Sequence, residues 1–150
     1  MARTIIIGLG SNCDSRRQLD LAAGMLAETF IAVRISEYME TEPLSGKGPK
    51  YLNAVASART DMGPMEAKAL LREMERRLGR DRRDPLLVAM DLDLLALGDL
   101  VLPECRLPSD DLATRPFCLL PAASIEPGFI HPVTGLSLEK MALAMQARHP

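Results

Sequence analysis

The stretch that most constrains the fold of this chain runs from Val88 to Leu97, where two acidic residues interrupt an otherwise apolar segment. The alternation predicts a β-strand with apolar side chains on one face and Asp91 and Asp93 on the other. At about 3.3 Å per residue, their Cα atoms lie roughly 6.6 Å apart and the side chains point the same way. Neighbouring carboxylates repel each other unless a cation lies between them. The strand therefore predicts either a site for Mg²⁺ ions that clamp a polyphosphate, or a solvated face with two incidental acids.

Arginines are concentrated just ahead of this strand, where their charge would suit a polyphosphate. They are Arg72, Arg76, Arg77, Arg80, Arg82 and Arg83. The chain as a whole is not basic, because its net charge is −2, and its 47% hydrophobic content is that of a globular protein. A length of 150 residues predicts one domain with a single core. The arginine cluster is therefore a local feature, and general affinity for nucleic acid or membranes is not expected.

The cysteines and the apolar segments bear on the compartment. Cys13, Cys105 and Cys118 are odd in number and lack metal-ligand spacing, which indicates free, mostly buried thiols in a reducing environment. The opening apolar run is too short for a secretory signal, and no segment approaches the roughly 20 apolar residues of a membrane span. We therefore predict a cytoplasmic protein.

The order of the predicted elements indicates the fold class. Strands are predicted at 4–9, 31–41 with a break near Ser36, 51–60 and 88–97, and helices at 14–30, 64–78 and 138–146. Gly8–Asn12 is interpreted as a turn, either a plain strand-to-helix connection or a phosphate cradle, and residues 103–114 as a loop. This order predicts an α+β, ferredoxin-like βαββαβ antiparallel sheet, with helices packed on one face and extra C-terminal elements.

The third strand offers a second candidate binding surface. Its alternation places Tyr51 and Asn53 on the face opposite a row of small alanines, next to a loop rich in proline and glycine. An aromatic ring beside an amide could bind a flat heterocycle, although a surface tyrosine and a turn-adjacent asparagine would look the same. An RNA-recognition module shares the element order, but Tyr38 and Tyr51 are too few aromatics for base stacking on the sheet.

Several short motifs occur together along most of the chain. They are Gly10-Ser11-Asn12, Tyr38 with Thr41 and Pro43-Leu44, Tyr51-Leu52-Asn53-Ala54, Glu75 ahead of Leu78-Gly79-Arg80, Asp91-Leu92-Asp93, and Arg115 followed by Phe117. In these motifs and their spacing the chain resembles the 6-hydroxymethyl-7,8-dihydropterin pyrophosphokinases. The resemblance implies an enzyme of folate synthesis that transfers the β,γ-pyrophosphate of ATP to the pterin hydroxymethyl group and releases AMP.

The resemblance also implies roles for individual residues. Asp91 and Asp93 would bind two Mg²⁺ ions that bridge the ATP phosphates, and with Arg80 and Arg82 they form the implied catalytic set. The implied pterin site has Tyr51 and Phe117 as aromatic plates and further residues at the ring edge, namely Thr41, Glu42, Pro43, Leu44 and Asn53. The implied ATP-binding residues are Glu75, Arg82, Arg83, Ser109 and Arg115.

Three positions depart from the family pattern. Val88 stands where an arginine is usual, Ser109 where a histidine is usual and Glu42 where a proline is usual. Two alternatives therefore stay open: pyrophosphate transfer to a different pterin-like substrate, and a non-catalytic pterin- or nucleotide-binding relative. In every case we expect residues 1–150 to form a single pyrophosphokinase-like domain whose partners are small molecules, with no nucleic acid, membrane or obligatory protein partner.

Overall fold

The β-branched run near the N-terminus forms the central strand of a five-stranded sheet. The computed structural model describes residues 2–148. Its strands are β1 (Arg3–Ser11), β2 (Ile31–Ile35), β3 (Met39–Thr41), β4 (Tyr51–Thr60) and β5 (Asp91–Leu97). Its helices are α1 (Ser15–Thr29), α2 (Pro64–Arg77), α3 (Asp110–Thr114), α4 (Pro116–Ile125) and α5 (Leu138–Arg148), and a 3₁₀ turn at Pro103–Cys105 precedes α3.

The strand order is β2-β4-β1-β5, every neighbouring pair is antiparallel, and β3 also pairs with β4. This is the ferredoxin-like arrangement with its second strand divided into β2 and β3, so the predicted α+β fold is confirmed. The predicted break near Ser36 is also confirmed. There the Ser36 N–H donates to the Val55 carbonyl, and the Ser36 hydroxyl accepts from the Val55 N–H, both at 2.9 Å.

Helices cover both faces of the sheet, whereas the sequence analysis predicted helices on one face only. Ile5, Ile7 and Leu9 of β1 point toward α1 and α2, and Ile6 points toward α4 and α5. A central strand that is apolar on both faces must be covered on both sides, because exposed apolar surface is costly in water. The row of alanines in β4 lies under α1, as the alternation of that strand predicted.

The prediction of a loop at residues 103–114 is wrong for 103–105 and 110–114, which are helical, and correct only for 106–109, while α4 was not predicted. Ser109 caps α3, because its hydroxyl accepts a hydrogen bond from the Asp111 N–H. The helix α4 is apolar around its whole circumference and contains Pro121, so it shows neither helical periodicity nor good helix-forming residues. It is stable because it lies between the sheet and α5.

Two strand boundaries also differ from the prediction. The acidic strand begins at Asp91 rather than Val88, and β1 continues to Ser11, so Gly8 and Gly10 lie inside a strand rather than in a turn. Near the end of β5 the register with β1 shifts by one residue. Because of this shift, Leu95 and Ala96 both face α4.

Within residues 2–148, no helix combines the length and the apolar character that crossing a bilayer would demand. The three cysteines are free, as predicted. They differ in burial, because Cys118 is buried, Cys105 is partly buried and Cys13 is exposed, so the prediction of mostly buried thiols is wrong for Cys13.

Candidate active site

The register of the three central strands places polar side chains around two glycines of β1. Gly10 lies opposite Asn53 of β4 on one side and opposite Asp91 of β5 on the other, and Gly8 lies opposite Asp93. Residues directly opposite each other point to the same face of a sheet. A Cβ atom on Gly10 would lie 3.0 Å from Asn53 Oδ1. Because the two glycines have no side chains, the sheet surface between the Asn53 amide and the two carboxylates is left uncovered and forms the floor of a cleft.

A first cleft of about 360 Å³ stands on this floor. Both acids of β5 line it, and so do all seven residues implied for the pterin site, namely Thr41, Glu42, Pro43, Leu44, Tyr51, Asn53 and Phe117. The Asn53 amide is almost fully buried and donates to Thr41 Oγ1 at 2.6 Å. Two aromatic side chains and an oriented amide therefore share one concave site, which suits a flat, hydrogen-bonding ring.

A second cleft of about 530 Å³ is lined mainly by charged side chains. Its charged lining includes Lys68, Arg72, Glu75, Arg82 and Arg106, and Ser109 also lines it. Asp91, Asp93 and Asp111 line both clefts, so the two spaces meet at three carboxylates. Sequence reasoning missed Asp111 because its segment was interpreted as a loop. The capping serine followed by two acids is a helix-start pattern that could have revealed it.

Asp93 has a strongly perturbed carboxyl group. Solvent reaches its side chain, but the carboxyl lies in a concave site where neighbouring protein atoms displace much of its hydration. This desolvation, followed by repulsion from Asp91 and further acids, raises the pKa of Asp93 to about 7. A divalent cation would relieve both effects. No cluster of three or more histidine, cysteine or acidic side chains suited to a metal occurs within residues 2–148. Two carboxylates nevertheless fit Mg²⁺, which usually takes its remaining ligands from phosphates and water.

Glu75 of α2 is buried behind β5 and binds three groups at once. Its Oε2 accepts the Leu92 N–H at 2.8 Å, and its Oε1 accepts from Arg82 Nη2 at 3.1 Å. Arg80 Nη1 lies 3.9 Å from Oε2. Burial raises the pKa of Glu75, while the Leu92 N–H and the two arginines act in the opposite direction. The carboxylate therefore fixes both arginines against the edge of the acidic strand.

Arg80 connects this anchor to the acid pair. Its Nη1 donates to the Met90 carbonyl at 3.1 Å and lies 3.5 Å from Asp91 Oδ1. The side chain is only 17% exposed, so the guanidinium is held beside the strand rather than free in solvent. A cation in this position offsets part of the repulsion between the carboxylates.

The other implied ATP-binding residues, Arg83, Ser109 and Arg115, already interact with groups of the protein itself. Arg83 is highly exposed, pairs with Asp81 at 2.9 Å and does not line either cleft. Arg115 lies 3.5 Å from Asp111 Oδ1 and also lies outside both cleft linings. Ser109 lines the second cleft, although its hydroxyl caps α3.

Asn12 holds the segment at residues 86–88, just before β5, through two side-chain hydrogen bonds. The sequence analysis placed Asn12 in a motif but gave it no role. Asn12 Oδ1 accepts the Val88 N–H at 2.6 Å, and Asn12 Nδ2 donates to the Leu86 carbonyl at 2.7 Å. The Val88 side chain is buried and lines neither cleft. Leu86, in contrast, lines the first cleft, so Asn12 positions one of its walls.

An α+β domain in which two clefts meet at carboxylates flanked by arginines is the arrangement of an enzyme that transfers phosphoryl-type groups. The family described as 7,8-dihydro-6-hydroxymethylpterin-pyrophosphokinase (HPPK) matches residues 6–127 of this chain. The chain therefore belongs to the HPPK family, and the predicted resemblance is confirmed.

Individual relatives agree with this assignment. The chain is 30% identical to the 2-amino-4-hydroxy-6-hydroxymethyldihydropteridine pyrophosphokinase of Synechocystis sp., over 89% of this chain and 71% of the relative. It is 31% identical to the Aquifex aeolicus enzyme of the same name, over 87% of this chain and 84% of the relative. The corresponding protein of Porphyromonas gingivalis is 29% identical, over 85% of this chain and 93% of the relative.

Solved structures support the fold. The chain is similar to Plasmodium falciparum HPPK-DHPS with pteroate, with a TM-score of 0.75 and 11% identity. The match covers 99% of this chain but only 43% of that longer one. At this identity the similarity shows the fold alone.

Proposed function

We propose that the first cleft binds 6-hydroxymethyl-7,8-dihydropterin, that the second binds ATP, and that pyrophosphate transfer takes place at the carboxylates that line both. As a member of the HPPK family, the chain is an ATP-dependent pyrophosphokinase of folate biosynthesis, which transfers the β,γ-pyrophosphate of ATP and releases AMP. The observation that carries our assignment of the clefts is that Asp91, Asp93 and Asp111 line both. Donor and acceptor bound in adjoining clefts would meet at these residues.

The pterin ring would lie between Tyr51 and Phe117, which provide the two aromatic surfaces in the first cleft. Asn53 would bond the ring edge together with the segment at residues 41–44. Its amide is already oriented by Thr41, so less side-chain entropy would be lost on binding. Burial, together with the Asp91 charge, raises the pKa of Tyr51, so its hydroxyl stays protonated and can donate.

On the nucleotide side, Asp91 and Asp93 would hold two Mg²⁺ ions. Bound magnesium supplies charge neutralisation and alignment of the phosphates. Phosphoryl-type transfer depends mainly on positioning and electrostatics, so no nucleophilic side chain is needed when the pterin hydroxyl attacks. The protein would hold that hydroxyl and the phosphates at adjoining positions through the walls of the two clefts.

The arginines would contribute positive charge near the transferred group. Arg80 and Arg82 are held by Glu75, and Arg82 lines the second cleft, so both would act from positions that exist before the ligand arrives. Arg83 would reach the nucleotide when its ion pair with Asp81 opens. Arg115, which precedes the first residue of α4, would bind the phosphates.

The remaining properties follow from this assignment. Residues 1–150 would act as a single pyrophosphokinase-like domain. Its partners would be ATP and the pterin, without a nucleic acid, membrane or obligatory protein partner, and the protein would work in the cytoplasm.

The test is AMP formation from ATP, Mg²⁺ and the dihydropterin, together with calorimetric titration of MgATP. Asp91→Ala and Asp93→Ala should each lose MgATP binding and turnover while the melting temperature is retained, because both side chains lie on the cleft face rather than in the core. Asp99→Ala, an exposed acid in the turn after β5, is the matched control and should behave like the parent. Either cleft variant binding MgATP as tightly as the parent would contradict the two-metal assignment.

The same assay separates the substrate alternatives. AMP release should be compared among several hydroxymethyl heterocycles at equal concentration. A clear preference for a ring other than the dihydropterin would overturn the proposed acceptor and retain the reaction type.

A further inference from the structure

Tyr38 lies in the break between β2 and β3 and connects this part of the sheet to α1. Its hydroxyl donates to Asp20 Oδ1 at 2.5 Å, and Cζ of Arg16 lies 5.5 Å from the centre of its ring. Arg16 and Asp20 stand four residues apart on α1, so the helix presents both groups from the same side. The ring also packs against the apolar core that the sheet shares with α1 and α2. Tyr38 is therefore held both at its ring and at its hydroxyl.

The chemistry of these contacts makes the connection a firm one. Burial raises the pKa of Tyr38 to about 12, and the hydrogen bond to Asp20 and its charge act in the same direction. The phenol therefore stays protonated and donates to the carboxylate. A hydrogen bond to a charged acceptor is stronger than one between neutral groups, and a cation over the ring adds further attraction.

The strand that follows Tyr38 has few other attachments. β3 is three residues long, and among the strands of residues 2–148 it pairs only with β4. Lys50 Nζ lies 3.4 Å from Glu40 Oε1 and 3.5 Å from Glu42 Oε1, but all three side chains are exposed and such ion pairs contribute little. The connection from Tyr38 to α1 should therefore limit the movement of β3.

The position of β3 matters because it borders the first cleft. Thr41, its last residue, accepts the hydrogen bond that orients the Asn53 amide, and residues 42–44 continue along the cleft. Tyr38 itself lines neither cleft. Movement of β3 would remove the partner of Asn53 and shift one wall of the first cleft. It would leave the second cleft intact, because that lining comes from α2, β5 and residues 82, 106, 109 and 111.

We propose that Tyr38 is a positioning residue for the pterin, which fixes β3 through Asp20 so that Thr41 and Asn53 are in place to bind the ring. This inference rests on the proposed function and deepens it, because it assigns part of the pterin affinity to a residue outside the cleft. Without the bond, β3 would sample other positions. The apparent pterin affinity would then fall with the fraction of molecules in which the wall is in place.

Three variants weaken the connection in different ways. Tyr38→Phe removes only the hydroxyl, Asp20→Ala removes its acceptor, and Tyr38→Ala removes the ring as well. Gln18→Ala is the matched control, because it breaks another hydrogen bond of α1, from Gln18 Nε2 to the Leu78 carbonyl at 2.9 Å, away from β3. Calorimetry measures the affinities for a pterin analogue and for MgATP separately, and melting temperatures show whether each variant is folded.

Tyr38→Phe and Asp20→Ala should each weaken pterin binding about threefold or more, as expected for the loss of one hydrogen bond. Tyr38→Ala should weaken it further, about tenfold or more. MgATP affinity should stay within about twofold of the parent, and Gln18→Ala should bind both ligands like the parent. The double variant Tyr38→Phe/Asp20→Ala should bind the pterin as weakly as one single variant, because both changes remove the same bond.

Three results would overturn the inference. The first is pterin affinity within about twofold of the parent in both Tyr38→Phe and Asp20→Ala, even if Tyr38→Ala binds weakly, because ring packing alone would then be responsible. The second is an equal loss of affinity for the pterin and for MgATP. The third is an equal loss of pterin affinity in Gln18→Ala, which would show a general effect of weakening α1.

Hydrogen exchange distinguishes this outcome from a failure of the proposed function. In the ligand-free protein, the amides of residues 39–41 should exchange faster in Tyr38→Phe and Asp20→Ala than in the parent and in Gln18→Ala. Unchanged exchange would refute only this inference when the parent binds the pterin and forms AMP. A parent that binds no pterin would refute the proposed acceptor, and faster exchange in the variants would still support the role of Tyr38 in fixing β3.

Discussion

Replacing Asn12 with alanine should lower both the stability of the fold and the affinity of the first cleft for a pterin. The Asn12 side chain is almost fully buried and makes two hydrogen bonds to the segment before β5. Its loss leaves the buried Val88 N–H without an acceptor, at a cost of about 1–3 kcal/mol. Loss of the bond to the partly exposed Leu86 carbonyl adds about 0.5–1.5 kcal/mol. The backbone bond from the Asn12 N–H to the Val88 carbonyl, at 3.0 Å, should persist.

The expected total is a loss of about 1.5–4.5 kcal/mol in the free energy of unfolding. For a domain of this size, that corresponds to a fall of about 3–18 °C in melting temperature. Urea titration and thermal unfolding measure the stability, and calorimetry with a pterin analogue measures the affinity. Pterin affinity should also fall, because Leu86 lines the first cleft and would no longer be fixed.

Gln18→Ala is the matched control for this prediction. Gln18 Nε2 donates to the Leu78 carbonyl at 2.9 Å, which is a comparable bond from an amide to the backbone but connects α1 to the end of α2. Its removal should cost about 1 kcal/mol and leave pterin affinity unchanged. If Asn12→Ala destabilises the fold by less than about 0.5 kcal/mol, the burial argument is refuted. If pterin affinity is retained, Asn12 does not position the cleft wall.

Three further predictions concern the cleft itself. Phe117→Ala should weaken binding of a pterin analogue by about 1–3 kcal/mol, the usual cost of losing one stacking partner, while MgATP affinity changes little; unchanged pterin affinity in calorimetry would show that Phe117 only fills the core. Gly10→Ala should also weaken pterin binding, because the new Cβ would lie 3.0 Å from Asn53 Oδ1, whereas Gly24→Ala, which has nothing within 4 Å, should not; equal affinities in the two variants would contradict this geometry. In EDTA, where no metal is bound, the pKa of Asp93 is about 7 in the folded protein, against an ordinary value of 3.8 in the unfolded chain. As the pH rises, the unfolded chain therefore loses this proton at a lower pH than the folded protein does. The stabilisation from protonated Asp93 is therefore complete below about pH 4 and lost by about pH 7. Urea titrations across this range should show a shallower decline for Asp93→Asn than for the parent, and parallel curves would refute the pKa assignment.

Most of the fold could be predicted because its elements have clear local patterns. The two-residue alternation at β5 puts Asp91 and Asp93 on one side of any strand, whatever surrounds it. The helix α2 was predictable because Pro64 and Gly79 mark its ends. The terminal helix α5 was predicted, but α4 was not, because it is uniformly apolar and its stability comes from contacts with the sheet and α5. Local propensity carries no information about such contacts.

Seven residues were predicted to form the pterin site, Tyr51 and Asn53 from strand alternation as well as from the family resemblance, and the other five from the resemblance alone. The structure brings them together in one cleft. Asp111 was not assigned to the site, because its segment shows no clear periodicity and was interpreted as a loop. Helical periodicity puts Glu75 at the edge of the apolar stripe of α2, near the arginines that follow, but only the structure shows that it is buried behind β5 and pairs with Arg82.

The sequence by itself determined which residues could take part in the chemistry and on which side of its own element each one lies. Side-chain direction within a strand or helix follows from backbone geometry over a few residues, so no tertiary information is needed for it. Only the tertiary structure decided that Gly8 and Gly10 separate the amide from the carboxylates, and that three acids line both clefts. It also decided which arginines pair with a buried acid, as Arg80 and Arg82 do with Glu75. These properties depend on strand register and on burial between segments far apart in the chain, and local sequence does not encode either of them.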